Sequence, residues 1–126
     1  MRRLIIDGYS LLHRDPEFAA TRATHLRLAR EQLIRKIDRL AHALAPRVEL
    51  IFDGRAEGGR SPTDTSAIHV IYSPGHKTAD TVIEQLVHED PDPAGICVVT
   101  SDRSERETIT AAGAQAMSCS AFLEHL

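Results

Sequence analysis

Five acidic side chains carry most of the chemistry this sequence can offer. Asp7 closes the opening apolar run LIID, Asp53 closes ELIFD, Asp80 and Glu84 stand four apart in TADTVIE, and Asp102 follows VVTS. Each alone has a plain explanation, because Asp favours turns and helix starts. Asp7-Gly8 and Asp53-Gly54 are turn dipeptides, Asp80 behind Thr78 suits a helix N-terminus, and Asp102 with Glu105 has the spacing of a capping box. Gathered in one place they mean more. Converging carboxylates raise one another's pKa unless a cation neutralises them, and an oxygen-only donor set suits Mg²⁺ or Mn²⁺. Such an ion activates water and stabilises charge during phosphodiester cleavage.

Whether these acids meet depends on the elements that carry them. Residues 4–6, 48–52, 67–72, 95–100 and 114–117 read as short apolar strands. Between 24 and 44 the spacing of Leu26, Ala29, Leu33, Ile34, Ile37, Leu40, Ala41 and Leu44 predicts a long helix, closed by Pro46. TADTVIEQLVHED predicts a second helix with Ala79, Val82, Ile83, Leu86 and Val87 inward, residues 103–112 a third, and 121–126 a final turn or two. Gly8 marks a chain reversal after the first strand. Strands two and three are joined by about a dozen residues with no obvious helix, a length typical of functional segments.

Continuous apolar strands alternating with helices predict an α/β fold, a three-layer α/β/α sandwich with a mostly parallel five-stranded sheet, in one domain over 1–126. In such a sheet the C-terminal strand ends share one edge, and ligands bind in the crevice outside it. Asp7, Asp53 and Asp102 fall at that edge, Asp80 opens the helix after strand three, and Glu84 lies one turn beyond on the same face.

Composition narrows the function further. The chain has 126 residues, 42% hydrophobic and 26% charged, with a net charge of −3 that argues against holding nucleic acid by bulk charge. Bases outnumber acids from Arg22 to Arg47. That helix fits an RNA or ribosome track, but the solvated face of an amphipathic helix explains it as well and is preferred. No apolar stretch approaches the roughly 18 residues of a membrane span and none forms a signal-peptide core, so a cytoplasmic protein without membrane contact is expected. Cys97 and Cys119 form no CxxC pair, and HExxH, GxSxG and GxGxxG are absent, which excludes the usual thiol-redox, zinc-hydrolase, serine-hydrolase and dinucleotide-binding patterns. His13, His25, His42 and His88 are expected to face solvent. Arg55, Arg60, His76, Lys77 and Arg103 lie on loops of the acidic edge, where they suit phosphate contacts, and Tyr9 and Tyr72 are candidates for stacking on bases.

The stretches IIDGYS, LIFDGR, KTADTVIEQLV and VVTSDRSE, in this order and spacing, resemble the YacP-like NYN domains of the PIN-like nucleases. The resemblance runs from Leu4 to about Phe122. It implies a PIN-like fold and a metal-dependent endoribonuclease that uses Mg²⁺ or Mn²⁺, with Asp7, Asp80 and Asp102 as the main metal-site acids and Asp53 nearby. In-line attack would leave a 5′-phosphate and a 3′-hydroxyl, as similar nucleases do. Within that frame Asp7 and Asp102 are expected to hold the ion and Asp80 to bind it directly or through water, while Asp53 or Glu84 orients or deprotonates the attacking water. Ser10, Arg55, Lys77, Ser101 and Arg103 are expected to contact RNA. The family usually carries Asn where this chain has Ser10, whose hydroxyl still donates and accepts but is shorter. Ser10 thus supports a competing reading, a catalytically weak RNA- or ribosome-binding module of the same fold. A phospho-acceptor receiver with Asp53 as acceptor is a third, and it lacks paired acids after the first strand and a lysine after the last.

Overall fold

Five apolar segments pair into one parallel sheet. The computed structural model describes residues 1–54 and 67–126. Its strands are β1 (Arg3–Asp7), β2 (Arg47–Phe52), β3 (His69–Tyr72), β4 (Ile96–Val99) and β5 (Gln115–Met117), in the order β3-β2-β1-β4-β5. The helices are α1 (Gly8–Arg14), α2 (Ala19–Thr24), α3 (Leu26–Leu44), α4 (Ala79–Glu89), α5 (Arg103–Ala111) and α6 (Cys119–Leu123). Central β1 pairs on both sides, Leu4 facing Val48 and Cys97, and its side chains alternate between two cores. Leu4 and Ile6 pack with Leu11, Leu33, Ile37 and Phe122 of α1, α3 and α6, whereas Ile5 packs with Ile83, Val87 and Ile109 of α4 and α5. Both faces are covered, which is why Leu4, Ile5 and Ile6 follow one another without a polar break, and the result is the expected α/β/α sandwich. The strand order differs from the 2-1-3-4-5 order of receiver domains, so the phospho-acceptor reading is set aside.

Two helices were not expected. The chain does not reverse at Gly8; α1 begins there, with Asp7 as its N-cap. A Cβ on Gly8 would lie 2.5 Å from Phe52 Cε1, so only glycine lets α1 start this close to the sheet. Helix α2 buries no side chain and therefore shows no apolar stripe. Helix α6 starts at Cys119 because the Ser118 hydroxyl accepts the Ala121 N–H at 3.1 Å.

Much of the basic surplus of residues 22–47 serves the fold. Arg22 donates to the Leu12 carbonyl at 3.1 Å, and Lys36 reaches Asp15 at 2.6 Å and Glu17 at 2.8 Å. Arg30 is buried, donates to the Tyr9 hydroxyl at 3.2 Å and lies 5.5 Å over the Tyr72 ring. Arg27, Arg35 and Arg39 are left at solvent. At the end of β1 opposite Asp7, buried Arg3 forks onto Glu49 at 2.5 and 2.9 Å and reaches Asp90 at 2.8 Å, while Arg2 meets Asp90 at 2.7 Å. The Asp92 N–H and Arg2 hold the Asp90 carboxyl well below the usual carboxylate range. Among the described residues no helix is long and apolar enough to cross a membrane.

Candidate active site

From β1 the chain moves outward to β2 and β3, then returns to the other side for β4 and β5. The crevice between β1 and β4 is therefore a topological switch point, where open α/β sheets bind ligands. Asp7 ends β1 there. Its Oδ1 accepts the Ser10 N–H at 3.3 Å, and its Oδ2 accepts the Ser10 hydroxyl at 3.0 Å and the Thr100 hydroxyl at 3.3 Å. Thr100 is wholly buried and also accepts the Asp102 N–H at 3.3 Å, while the Ser101 hydroxyl donates to Ser10 Oγ at 3.1 Å. One hydroxyl chain thus ties the acid at the end of β1 to the one after β4.

The remaining acids arrive on separate elements. Asp102 is exposed and caps α5, its Oδ1 accepting the Glu105 N–H at 3.2 Å. Asp53 follows β2 and accepts the Ser73 hydroxyl at 3.4 Å, and that hydroxyl accepts the Gly54 N–H at 3.0 Å. A Cβ on Gly54 would fall on the Ser73 carbonyl oxygen, so glycine is needed for the exits of β2 and β3 to touch. Asp80 occupies the first turn of α4, capped as expected by Thr78, which accepts the Thr81 N–H at 3.2 Å. Asp7, Asp53, Asp80, Ser10 and Ser101 all line one pocket of about 570 Å³. No lysine or arginine lines it among the described residues.

Negative charge accumulates as the sequence suggests. Burial raises the Asp7 carboxyl, opposed by its Ser10 and Thr100 hydrogen bonds. Asp80 is pushed up to about 6 by burial and by the charges of Asp7, Asp102, Glu84 and Asp53. Glu105 is pushed up to about 9 by burial, by a hydrogen bond shared with Glu84 and by the neighbouring acids. It was expected to close a capping box, but its carboxyl does not return to the Asp102 N–H, which Thr100 already satisfies. The side chain turns inward, and its Oε2 is buried with no hydrogen-bond partner. A signal was present in the sequence: Ile109, four residues on, lies on the same helix face and is fully buried.

Other expected contacts lie elsewhere. Lys77 donates to Gln85 at 3.0 Å, and Arg103 is exposed with Glu107 at 3.7 Å; neither lines the pocket. Arg55 and Arg60 lie outside the described residues. Tyr72 stacks on Phe52 with centroids 5.6 Å apart and belongs to the core packing, whereas Tyr9 lines the pocket.

Among the described residues, no three Asp, Glu, His or Cys side chains are placed to grip one ion together. Asp7, Asp80 and Asp102 therefore do not stand preassembled as a ligand trio, and Asp7 and Asp102 each turn an oxygen to their own helix. The donor chemistry still fits a hard divalent ion, which commonly takes one or two protein carboxylates and fills its shell with water and phosphate oxygens.

Comparison with known proteins adds an independent line. Residues 4–126 match the model of the YacP-like NYN domain. The uncharacterized protein YacP of Bacillus subtilis (strain 168) is 31% identical over 113 residues, covering 88% of this chain and 66% of the relative. The chain thus spans just under two thirds of that relative's length. Two crystal structures of Rae1 (YacP) from Bacillus subtilis, one a tryptophan-to-leucine mutant, are similar at 28% identity, with TM-scores of 0.82 and 0.80. Each covers 99% of this chain, which in turn spans 73% and 74% of theirs. The family match runs through every strand end that carries an acid, and the chain belongs to the YacP-like NYN domain family, a nuclease-like group.

Proposed function

We propose that this chain is a metal-dependent endoribonuclease that hydrolyses RNA phosphodiester bonds in the acid pocket at the switch point. One observation carries the reading. Burial and the charges of Asp7, Asp102, Glu84 and Asp53 push Asp80 up to about 6, and no lysine or arginine among the described residues lines the pocket to relieve them. A divalent ion such as Mg²⁺ or Mn²⁺ bound among Asp7, Asp80 and Asp102 would supply the missing positive charge and an acidified water.

The chain's own residues do the positioning. Ser10 and Thr100 fix the Asp7 carboxylate, and Thr100 also holds the Asp102 backbone. Of the two candidates for the attacking water, Asp53 lines the pocket and Glu84 does not; Asp53 takes that role, and Glu84 stands beside buried Glu105. Ser10 reaches Asp7 at 3.0 Å, which favours an active enzyme over a binding-only module. Arg27, exposed beside the pocket residue Leu26, suits a phosphate of flanking RNA, ribosomal RNA included.

The test is incubation of purified protein with labelled single-stranded RNA and Mn²⁺ or Mg²⁺, beside an Asp102→Asn variant and an EDTA control. Cleavage to 5′-phosphate products is expected from the wild type alone. Cleavage that survives both EDTA and Asp102→Asn overturns the metal-dependent reading, and wild-type binding without cleavage favours the binding module.

A further inference from the structure

The acids form only one side of the pocket. Tyr9 and His13 of α1 and Leu26 at the start of α3 line it as well. Tyr9 is held by neighbours: its ring meets Phe52 edge to face at 5.0 Å and 68°, and its hydroxyl accepts from Arg30 at 3.2 Å. His13, one helical turn on, is exposed, with its ring centroid 6.4 Å from that of Tyr9. Two rings and a leucine make a surface that suits the flat apolar face of a nucleobase better than a phosphate. A ring fixed in advance also loses little freedom when a base stacks on it.

We propose that Tyr9, His13 and Leu26 form a nucleobase subsite, where one base of a single-stranded RNA stacks while the adjoining backbone faces Asp7 and Asp80. The inference rests on the ribonuclease reading and adds how the strand is gripped. The subsite tolerates any base, because every base has a π-face.

Fluorescence anisotropy with labelled RNA, in EDTA and again with Ca²⁺, reads binding apart from cleavage. The ligands are an ordinary single-stranded oligoribonucleotide and a strand of equal length made of abasic units. For His13→Ala, affinity for the base-bearing strand is expected to fall by about 5-fold or more, the lower end of one base–aromatic stack, with affinity for the abasic strand unchanged. His13 is exposed, and a matching melting curve confirms that the variant folds. Equal weakening toward both strands would assign the wall to phosphate and overturn the subsite, as would unchanged affinity for both. If wild type cleaves RNA and His13→Ala binds the base-bearing strand normally, the subsite alone fails. If wild type binds and cleaves no RNA under any condition, the ribonuclease reading fails with it.

Discussion

Replacing Glu105 by glutamine tests whether the acids repel one another as packed, because the amide keeps the shape and copies the neutral carboxyl. In the fold this carboxyl titrates at about 9, against an ordinary value of 4.5. Between those values the native protein keeps a proton that the unfolded chain has lost, so stability falls as pH rises. The contribution is fully present below the unfolded value and is lost on the way up to the folded one. At about 1.4 kcal/mol per pH unit, the span from about pH 5 to about pH 8 sets a ceiling of roughly 4 kcal/mol. Solvent screening and coupling to the neighbouring acids reduce this to on the order of 1–3 kcal/mol. Glu105→Gln titrates nowhere in that window, so its stability relative to wild type should rise by that amount, roughly 4–12 °C in Tm for a chain of this size. Urea unfolding of both proteins in EDTA at the two pH values measures the change. An equal difference at both would refute the placement of Glu105 among the acids, and a swing the other way would mean that it is ionised in the fold.

Three other outcomes are expected. Mn²⁺ binding, measured by calorimetry, should strengthen as pH rises through about 6, where Asp80 ionises, and this rise should vanish in Asp80→Asn; a flat wild-type profile contradicts it. Glu49→Ala leaves the buried Arg3 guanidinium with one of its two carboxylate partners, and should lower unfolding free energy by about 3 kcal/mol while folded protein still binds RNA normally. Gly8→Ala drives a methyl into the Phe52 ring, and should lower stability by about 1–3 kcal/mol with a changed tyrosine near-ultraviolet circular dichroism signal; an unchanged spectrum and melting curve would show that the ring gives way freely.

The sheet was legible because β1, β2 and β4 are buried on both faces, so their sequences are mostly apolar, with Glu49 the one charge inside β2, and each ends visibly at a polar residue. Reading the strand ends placed Asp7 and Asp53 in one pocket, which Asp80 joins from the first turn of α4, while exposed Asp102 stays outside its lining. Helix α1 was hidden because its buried Leu11 and Leu12 are adjacent in seven residues, too little for a helical period to emerge. Glu105 was misread because its spacing from Asp102 satisfies a local capping rule, while its burial comes from packing near Glu84 of α4. Lys77 and Arg103 sit at the expected edge, but their local partners Gln85 and Glu107 decide where their side chains go, and strand topology says nothing about that. Arg30 is the same lesson in reverse: a base in an amphipathic helix was read as solvated, and aromatic neighbours from other elements enclose it.

Asp7 and Asp102 each begin a helix and each stand as a candidate ligand. Alanine at either position would remove a cap worth about 1 kcal/mol together with a negative charge, so one lost activity would confound two injuries. Asparagine separates them, since its side-chain oxygen caps about as well as aspartate but carries no charge. A function abolished by Asp7→Asn at an unchanged melting temperature belongs to the carboxylate's charge. One abolished only by Asp7→Ala belongs to the start of α1.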